Sequence, residues 1–135
     1  MKKLLSIVLA LMMAISCLAG ISAEAFAAEP PQNGWYKVTE TYENEDGETE
    51  KFDIWFYYQN GKYVTGWRYI NKKWYFFDED GARVTGWKMI SRKWYYFSAS
   101  GAMQVRWQKI GSRWYYFESS GAMATGWKQI SGKWY

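Results

Sequence analysis

The feature that most constrains the fold of this 135-residue chain is a repeat of 20 residues that runs without slippage through its second half. Columns of tryptophan, isoleucine, tyrosine, phenylalanine and glycine all keep this period. They comprise Trp67, Trp87, Trp107 and Trp127; Trp74, Trp94, Trp114 and Trp134; Ile70, Ile90, Ile110 and Ile130; Tyr75, Tyr95, Tyr115 and Tyr135; Phe77, Phe97 and Phe117; and Gly61, Gly81, Gly101 and Gly121. Such a period is typical of repeat proteins, in which each unit buries its apolar face against its neighbours.

Each repeat has the pattern of a β-hairpin. Lys93–Phe97 is rich in the aromatic residues that strands favour, residues 98–101 form a turn, and residues 102–105 are a plausible return strand. The equivalent turn at residues 78–81 ends in Asp-Gly, a strong hairpin signal. A single hairpin is only marginally stable in water. The sequence therefore predicts an all-β solenoid of stacked β-hairpins, with the isoleucine and phenylalanine columns in its core.

Residues 1–27 have the layout of a secretory signal peptide. Lys2 and Lys3 precede an apolar run, and Ala25 and Ala27 place small residues where a signal peptidase reads them. The apolar run is too short to be a membrane span, so we expect cleavage after Ala27 and no membrane span afterwards. Cleavage also removes Cys17, the only cysteine, so the mature chain is expected to have no disulfide.

Residues 28–60 are predicted to be a linker and a diverged first unit, and residues 61–135 the repeats, the last one incomplete. Gly34 and Trp35 resemble the opening of a repeat, and residues 54–57 fall 20 residues before residues 74–77. Two alternating segments, at residues 36–42 and 48–54, flank a turn at residues 44–47. We therefore predict a longer N-terminal hairpin that caps the solenoid, since terminal repeats need a polar outer face.

The charge of the chain divides at the start of the repeats. Residues 28–60 carry two lysines against eight acidic residues, whereas residues 61–135 carry thirteen basic residues against four acidic ones. Basic residues also form columns, one of them comprising Lys73, Lys93, Arg113 and Lys133. A basic repeat region favours an anionic partner, although a solvated face that keeps the protein soluble explains the same columns equally well. A nucleic acid is not expected to be the partner, because the chain is predicted to be secreted.

Catalytic chemistry has little support in the sequence. The chain has no histidine, and Asp78, Glu79 and Asp80 form a turn cluster rather than a separated acid and base pair. Neither a metal-ligand spacing nor a phosphate-binding glycine motif is present in the sequence. We therefore predict a protein that is not an enzyme, with no catalytic residue, no metal and no cofactor.

The aromatic content points instead to binding. Aromatic residues make up 21% of the chain, more than a core of this size can bury, so some rings are expected at a binding surface. Residues 86–97 and 121–127, with their Gly-Trp, Lys-Trp-Tyr-Tyr-Phe and Gly-x-Met-x-Thr-Gly-Trp motifs, resemble the choline-binding and glucan-binding repeats of Gram-positive bacteria and their phages. This resemblance implies a hairpin solenoid with ligand sites between consecutive hairpins.

The resemblance also implies which residues bind the ligand. Each site takes two tryptophans of one unit and an aromatic ring of the next, for which Tyr96 and Tyr116 are preferred because they share strand parity with Trp94 and Trp114. Tyr95 and Tyr115 are the competing choice, and Met103 and Met123 are expected to line the floor. The predicted ligand-binding residues are Trp67, Trp74, Trp87, Trp94, Tyr96, Met103, Trp107, Trp114, Tyr116, Met123 and Trp127.

Two positions depart from the pattern of the repeats. Arg83 stands where later units have methionine, and its positive charge puts a first choline site in doubt. Arg106 replaces the glycine that precedes the other tryptophans of its column, so its turn is expected to use a conformation that arginine tolerates.

The leading functional hypothesis is a secreted, non-catalytic module associated with the bacterial cell wall. Its partner is choline on teichoic acid or a surface glucan, which aromatic ring count alone does not distinguish. Two alternatives stay open. One is a structural or adhesive protein that forms a homodimer through the C-terminal edge strand at residues 133–135. The other is the targeting fragment of a truncated wall hydrolase.

Overall fold

The computed structural model describes residues 29–43 and 46–135, and these residues form strands and turns with no helix among them. The predicted signal peptide lies outside the described residues. Within the described ranges, no helix has the length and hydropathy needed to cross a bilayer.

Eleven strands make up the described part of the chain. The first three form one antiparallel sheet: β1 (Gly34–Glu43), β2 (Thr49–Gln59) and β3 (Lys62–Tyr63). The others form four two-stranded hairpins: β4 (Gly66–Ile70) with β5 (Lys73–Phe77), β6 (Gly86–Ile90) with β7 (Lys93–Phe97), β8 (Arg106–Ile110) with β9 (Arg113–Phe117), and β10 (Gln129–Ile130) with β11 (Lys133–Trp134). The predicted all-β hairpin architecture is confirmed.

The turn of each hairpin lies elsewhere in the repeat than predicted. Ser91 and Arg92, which join β6 to β7, have φ values of 48° and 62°. Left-handed conformations at both central residues match the twist of an antiparallel hairpin. Residues 98–101 do form the predicted turn, in which the Gly101 amide donates to the Ser98 carbonyl at 2.8 Å, but it is a connector between consecutive hairpins. The predicted return strand at residues 102–105 forms a bridge between Met103 and Phe97. That connector is tight because the Ser98 amide donates to the carbonyl of Ala102.

Consecutive hairpins stack through opposite faces. Trp67 lies directly across from Phe76, while Tyr75 and Phe77 point to the other side of the same hairpin, because side chains alternate along a strand. The ring centroid of Trp67 lies 5.0 Å from that of Tyr95, which belongs to the following hairpin. One unit therefore contributes its tryptophan face to each junction, and the next unit contributes its tyrosine face.

The phenylalanine column forms the core, as predicted. Phe77, Phe97 and Phe117 are fully buried, each at 0% exposure. The isoleucine column is only partly buried: Ile70 is buried, whereas Ile90, Ile110 and Ile130 are half-buried. Each isoleucine belongs to the last residue pair before the hairpin turn, so its side chain lies at the turn end of its hairpin, away from the middle of the interface between hairpins.

The N-terminal hairpin is a repeat unit with a register that differs by one residue from the predicted one. Trp35 pairs with Tyr57 as Trp67 pairs with Phe76, so Trp55 takes the position of Trp74, 19 residues later rather than 20. The difference arises in the loop after β2. That loop is one residue shorter, since Tyr58 pairs with Tyr63 where Phe77 pairs with Arg83.

Candidate functional site: aromatic cages between hairpins

The junctions between hairpins hold clusters of aromatic rings that stand nearly at right angles. Trp67 and Trp74 have centroids 6.2 Å apart and an interplanar angle of 84°. Trp87 and Trp94 repeat this arrangement at 6.2 Å and 87°. Perpendicular rings present two faces toward one space, and this is the geometry in which a cation contacts more than one π face.

A tyrosine of the following hairpin supplies the third wall. Tyr95 packs against Trp67 at 5.0 Å, and Tyr115 packs against Trp87 at 4.9 Å. Tyr95 and Tyr115 are half-buried, whereas Trp74 and Trp94 are exposed at 44% and 41%. We call Trp67 and Trp87, which pack on these tyrosines, the inner tryptophans, and Trp74 and Trp94 the outer ones. Trp67 is half-buried, whereas Trp87 is itself 36% exposed.

A methionine backbone is tied to each cluster by a hydrogen bond between units. The Met103 amide donates to the carbonyl of Trp74 at 2.8 Å, and the Met123 amide donates to that of Trp94 at 2.7 Å. We define cage 1 as Trp67, Trp74, Tyr95 and Met103. Cage 2 is defined as Trp87, Trp94, Tyr115 and Met123.

A glycine of the next repeat makes room for the methionine of cage 1. The Met103 side chain lies over Gly121, where any added Cβ would overlap the Met103 Sδ atom. Gly121 also has a φ of +84°, a conformation that favours glycine. The glycine column is therefore explained by both close approach and backbone conformation.

The predicted grouping of Tyr96 and Tyr116 with the tryptophans of the preceding hairpin is corrected. Tyr96 packs on Trp87 of its own hairpin at 5.2 Å, and Tyr116 packs on Trp107 in the same way at 5.3 Å. Tyr96 shares a face of its hairpin with Trp94, but the preceding hairpin packs against the opposite face, which carries Tyr95. Shared strand parity with Trp94 therefore selected the wrong tyrosine. Tyr95 and Tyr115, the competing choice, occupy the junctions.

The remaining predicted residues lie in the last two units. Trp107 packs against Tyr135 at 5.0 Å, which repeats the contact of Trp67 with Tyr95. Trp114 is 62% exposed and Trp127 is 82% exposed. That any of these side chains binds a ligand stays a prediction.

Sequence analysis missed a cluster of the same geometry at the N-terminal junction. Trp35 and Trp55 lie 6.3 Å apart at 82°, and Tyr75 packs on Trp35 at 5.0 Å. We call the cluster of Trp35, Trp55 and Tyr75 the first cage, because it precedes cage 1 along the chain; it is distinct from cage 1. It escaped detection because the assumed period of 20 residues placed Trp55 in the wrong column. The strand pairing of Trp35 with Tyr57, which matches that of Trp67 with Phe76, shows that Trp55 is the equivalent of Trp74.

Arg83 lies in the first cage. Its amide donates to the carbonyl of Trp55 at 2.7 Å, as Met103 and Met123 do one and two repeats later. The guanidinium carbon is 5.3 Å from the Trp55 ring centroid and 5.7 Å from that of Trp35. Burial lowers the pKa of the Arg83 guanidinium, but arginine remains charged at neutral pH.

Charge differs between the first cage and the two later ones. An exposed lysine directly precedes the outer tryptophan of cages 1 and 2, as Lys73 and Lys93 respectively. The first cage instead has Ile54 at this position and Asp53 beside it. Asp53 binds Lys37 in an ion pair of 3.1 Å.

The Asp53 carboxylate has two partners in the N-terminal hairpin. The Thr39 hydroxyl donates to it at 2.7 Å, and the Lys37 ammonium donates to its other oxygen at 3.1 Å. The hydrogen bond from Thr39, followed by that from Lys37, lowers the pKa of Asp53. Both donors stabilise the ionised form, so an acid is held charged next to the outer tryptophan of the first cage.

A separate groove of about 480 Å³ lies between the Asp78–Asp80 turn and β6. Its lining includes Phe76, Phe77 and Met89, but the outer tryptophans of cages 1 and 2 are not part of it. Because it lacks converging tryptophan faces, we place the candidate site at the cages. In the described ranges, no three acidic, histidine or cysteine side chains come together in a group that could hold a metal.

Comparison with known families gives a match over the repeats. The model of the choline-binding repeat matches residues 64–106 and 105–135. These ranges contain all the residues of cages 1 and 2. A comparison with curated protein sequences gives no match.

Several solved structures are similar to this chain. Choline binding protein F from Streptococcus pneumoniae is 37% identical over 76% of this chain and 39% of its own, with a TM-score of 0.57. A complex of CbpF with ipratropium gives 39% identity over 76% of this chain and 33% of the other, with a TM-score of 0.66. A pneumococcal cell-wall endolysin from phage Cp-1, complexed with choline, is 31% identical over 83% of this chain, with a TM-score of 0.52.

These relatives are longer than the present chain, which spans 33% of the CbpF complex and 30% of the endolysin. The match to each therefore concerns a part of the relative.

Proposed function

The chain belongs to the choline-binding repeat family, and from this premise we propose that it is a secreted, non-catalytic module that binds choline groups of a bacterial cell-wall polymer through cages 1 and 2. The observation that carries this proposal is the convergence of two perpendicular tryptophans and a tyrosine from the next hairpin in each cage.

The chemistry of a quaternary ammonium fits such a cage. The nitrogen of a quaternary ammonium carries only carbon substituents, so it has no N–H group that could donate a hydrogen bond to a carboxylate. Aromatic faces offer electrostatic attraction and apolar contact together, at about 0.5–2 kcal/mol for each ring. Met103 and Met123 add an apolar, polarizable group to the cages without adding a competing charge.

The basic residues support a polymer that carries phosphate as well as choline. Lys73 and Lys93 are exposed and directly precede the outer tryptophans of the two cages. A teichoic acid places an anionic phosphate near each choline, so the same repeat can hold both charges. The absence of histidine from the chain supports the non-catalytic part of the proposal.

Choline titration of the purified protein, followed by calorimetry, tests the proposal. We expect one choline for each cage and competition by choline for binding to purified walls. Trp74→Ala removes one wall of cage 1 and Trp94→Ala one wall of cage 2, and each should weaken its own site about tenfold, since the lost contact is worth up to about 2 kcal/mol. Both side chains are exposed, so the fold should tolerate the changes.

Trp134→Ala is the matched control. Trp134 belongs to the same column and is 63% exposed, but no second aromatic ring among the described residues packs against it to form a cage. This variant should bind choline as the wild type does. The choline assignment would be contradicted if wild-type protein gave no binding heat with choline and were eluted from walls by a glucan oligosaccharide but not by choline.

A further inference from the structure

We propose that the first cage is permanently filled by the chain's own Arg83, which takes the place of a ligand cation and excludes choline from that cage. The inference rests on the proposed function for its choline readout. Its structural basis is independent, because it concerns which group occupies the space between Trp35, Trp55 and Tyr75.

The first cage has the ring geometry of cages 1 and 2. The two tryptophans of the first cage are 6.3 Å apart at 82°, against 6.2 Å at 84° in cage 1. The tyrosine of the next hairpin lies 5.0 Å from the inner tryptophan in both. The aromatic walls alone therefore do not explain why the first cage should behave differently.

Arg83 extends its side chain over the rings of the first cage. Its guanidinium carbon lies over both tryptophans, at 5.7 Å from Trp35 and 5.3 Å from Trp55. These are distances at which a cation interacts with ring faces. Arginine carries its charge in a planar group that suits stacking on aromatic rings.

Arg83 is partly enclosed by the neighbouring repeat. Its side chain runs over Gly101, where an added Cβ would overlap Arg83 Cδ and Nε. The Nε atom is buried and has no hydrogen-bond partner among the described residues, while Nη2 donates weakly to the carbonyl of Ala99 at 3.4 Å. A buried donor without a partner is unfavourable, and the cation–π attraction of the ring faces offsets part of this cost.

The rings of the first cage are less exposed than the equivalent rings of the later cages. Tyr75 in the first cage is 9% exposed, whereas its equivalents Tyr95 and Tyr115 are half-buried. Trp55 is half-buried, whereas the outer tryptophans Trp74 and Trp94 are exposed. Arg83 covers part of these ring faces, and Lys37 also lies over Trp55, with its ammonium nitrogen 6.0 Å from the ring centroid.

The replacement Arg83→Met tests the inference, since methionine is the residue that the chain itself uses at positions 103 and 123. Calorimetric choline titration of this variant should give one more equivalent of bound choline than the wild type. Arg92→Met removes the same charge from an exposed hairpin turn and should leave the stoichiometry unchanged. Wild-type binding at the later cages with no equivalent gained in R83M would overturn the inference.

A measurement on the wild type keeps the inference testable if choline binds nowhere or if R83M does not fold. The side-chain Nε proton of Arg83 should be shifted upfield by the tryptophan rings and should exchange slowly with solvent. Its NMR signal is assigned by its loss in R83M or, failing that, through the backbone. A signal with the shift and exchange rate of a solvated arginine would overturn the inference, while the absence of choline binding alone would overturn only the proposed function.

Discussion

At position 106 the chain carries an arginine in the backbone conformation that other repeats give to glycine. Arg106 has a φ of 62°, against 72° for Gly66, 71° for Gly86 and 73° for Gly126. The turn keeps the left-handed conformation of the other repeats, and the φ of Arg106 lies in the small left-handed region that L-residues adopt at a cost, as that of Arg92 does. The neighbouring strands fix the bend, because Arg106 pairs with Phe117 just as Gly86 pairs with Phe97. The turn therefore keeps its conformation, and the strain falls on the backbone of Arg106.

Replacing Arg106 with glycine should relieve this strain. An L-residue in the left-handed conformation costs roughly 1–2 kcal/mol, which glycine would relieve. The greater freedom of glycine in the unfolded chain offsets about 0.5–1 kcal/mol of that relief. We expect Arg106→Gly to raise the free energy of unfolding by about 0.5–1 kcal/mol, measured by chemical denaturation. Gly86→Ala, where an added Cβ meets nothing within 4 Å, is the reverse control and should lower it. An R106G protein less stable than wild type would refute the strain.

Asp53 provides a test of the N-terminal hairpin. Its folded pKa lies below the ordinary value of 3.8, so the stability that it contributes is present above this pH and lost as pH falls through the lower folded pKa. Thr39→Val removes the largest cause and should move the pKa of Asp53 back toward 3.8. An NMR pH titration of the Asp53 carboxyl carbon measures this. Thr41→Val, an exposed change in the same strand, should leave that pKa in place.

At the scale of the elements, the glycine column links one repeat to the cage of another. Met103 of cage 1 lies over Gly121, so a side chain at position 121 pushes against the thioether. We expect Gly121→Ala to weaken choline binding at cage 1 several-fold and to lower stability by about 1 kcal/mol through its positive φ. Binding at each cage is followed by NMR shifts of the Trp74 and Trp94 indoles. An unchanged affinity at cage 1 would contradict the assigned role of Met103.

The same elements show what could be predicted from the sequence. The 20-residue period and the aromatic columns predict stacked hairpins, and the buried phenylalanines follow from them. The turns within the two-stranded hairpins, such as Ser91 and Arg92, could not be placed from the sequence. The Asp80-Gly81 pair, which lies in a turn between hairpins, carries a stronger local signal. The tyrosine of each cage also escaped, because parity within a strand does not say which neighbouring unit a face meets. Only stacking decides between Tyr95 and Tyr96.

At the scale of the whole molecule, each cage is made by two hairpins, so a ligand bridges two units that would be marginal alone. A ligand that binds only the folded stack stabilises it in proportion to the logarithm of its concentration. Choline at 100 times its Kd should raise the free energy of unfolding by about 2.7 kcal/mol for each cage. Thermal denaturation of wild type and of the double variant W74A/W94A measures this. An equal rise in the double variant would contradict cages 1 and 2 as the sites.

The central claim is that ligand lies between consecutive hairpins, and intermolecular nuclear Overhauser effects from the choline methyl protons test it most directly. The account predicts contacts to the indoles of Trp67 and Trp74 together with the ring of Tyr95, and the equivalent set of cage 2. It predicts none to Trp35, Trp55 or Tyr75 while Arg83 is present. Contacts confined to the tryptophans and tyrosines of one hairpin, or to none of these rings, would contradict it.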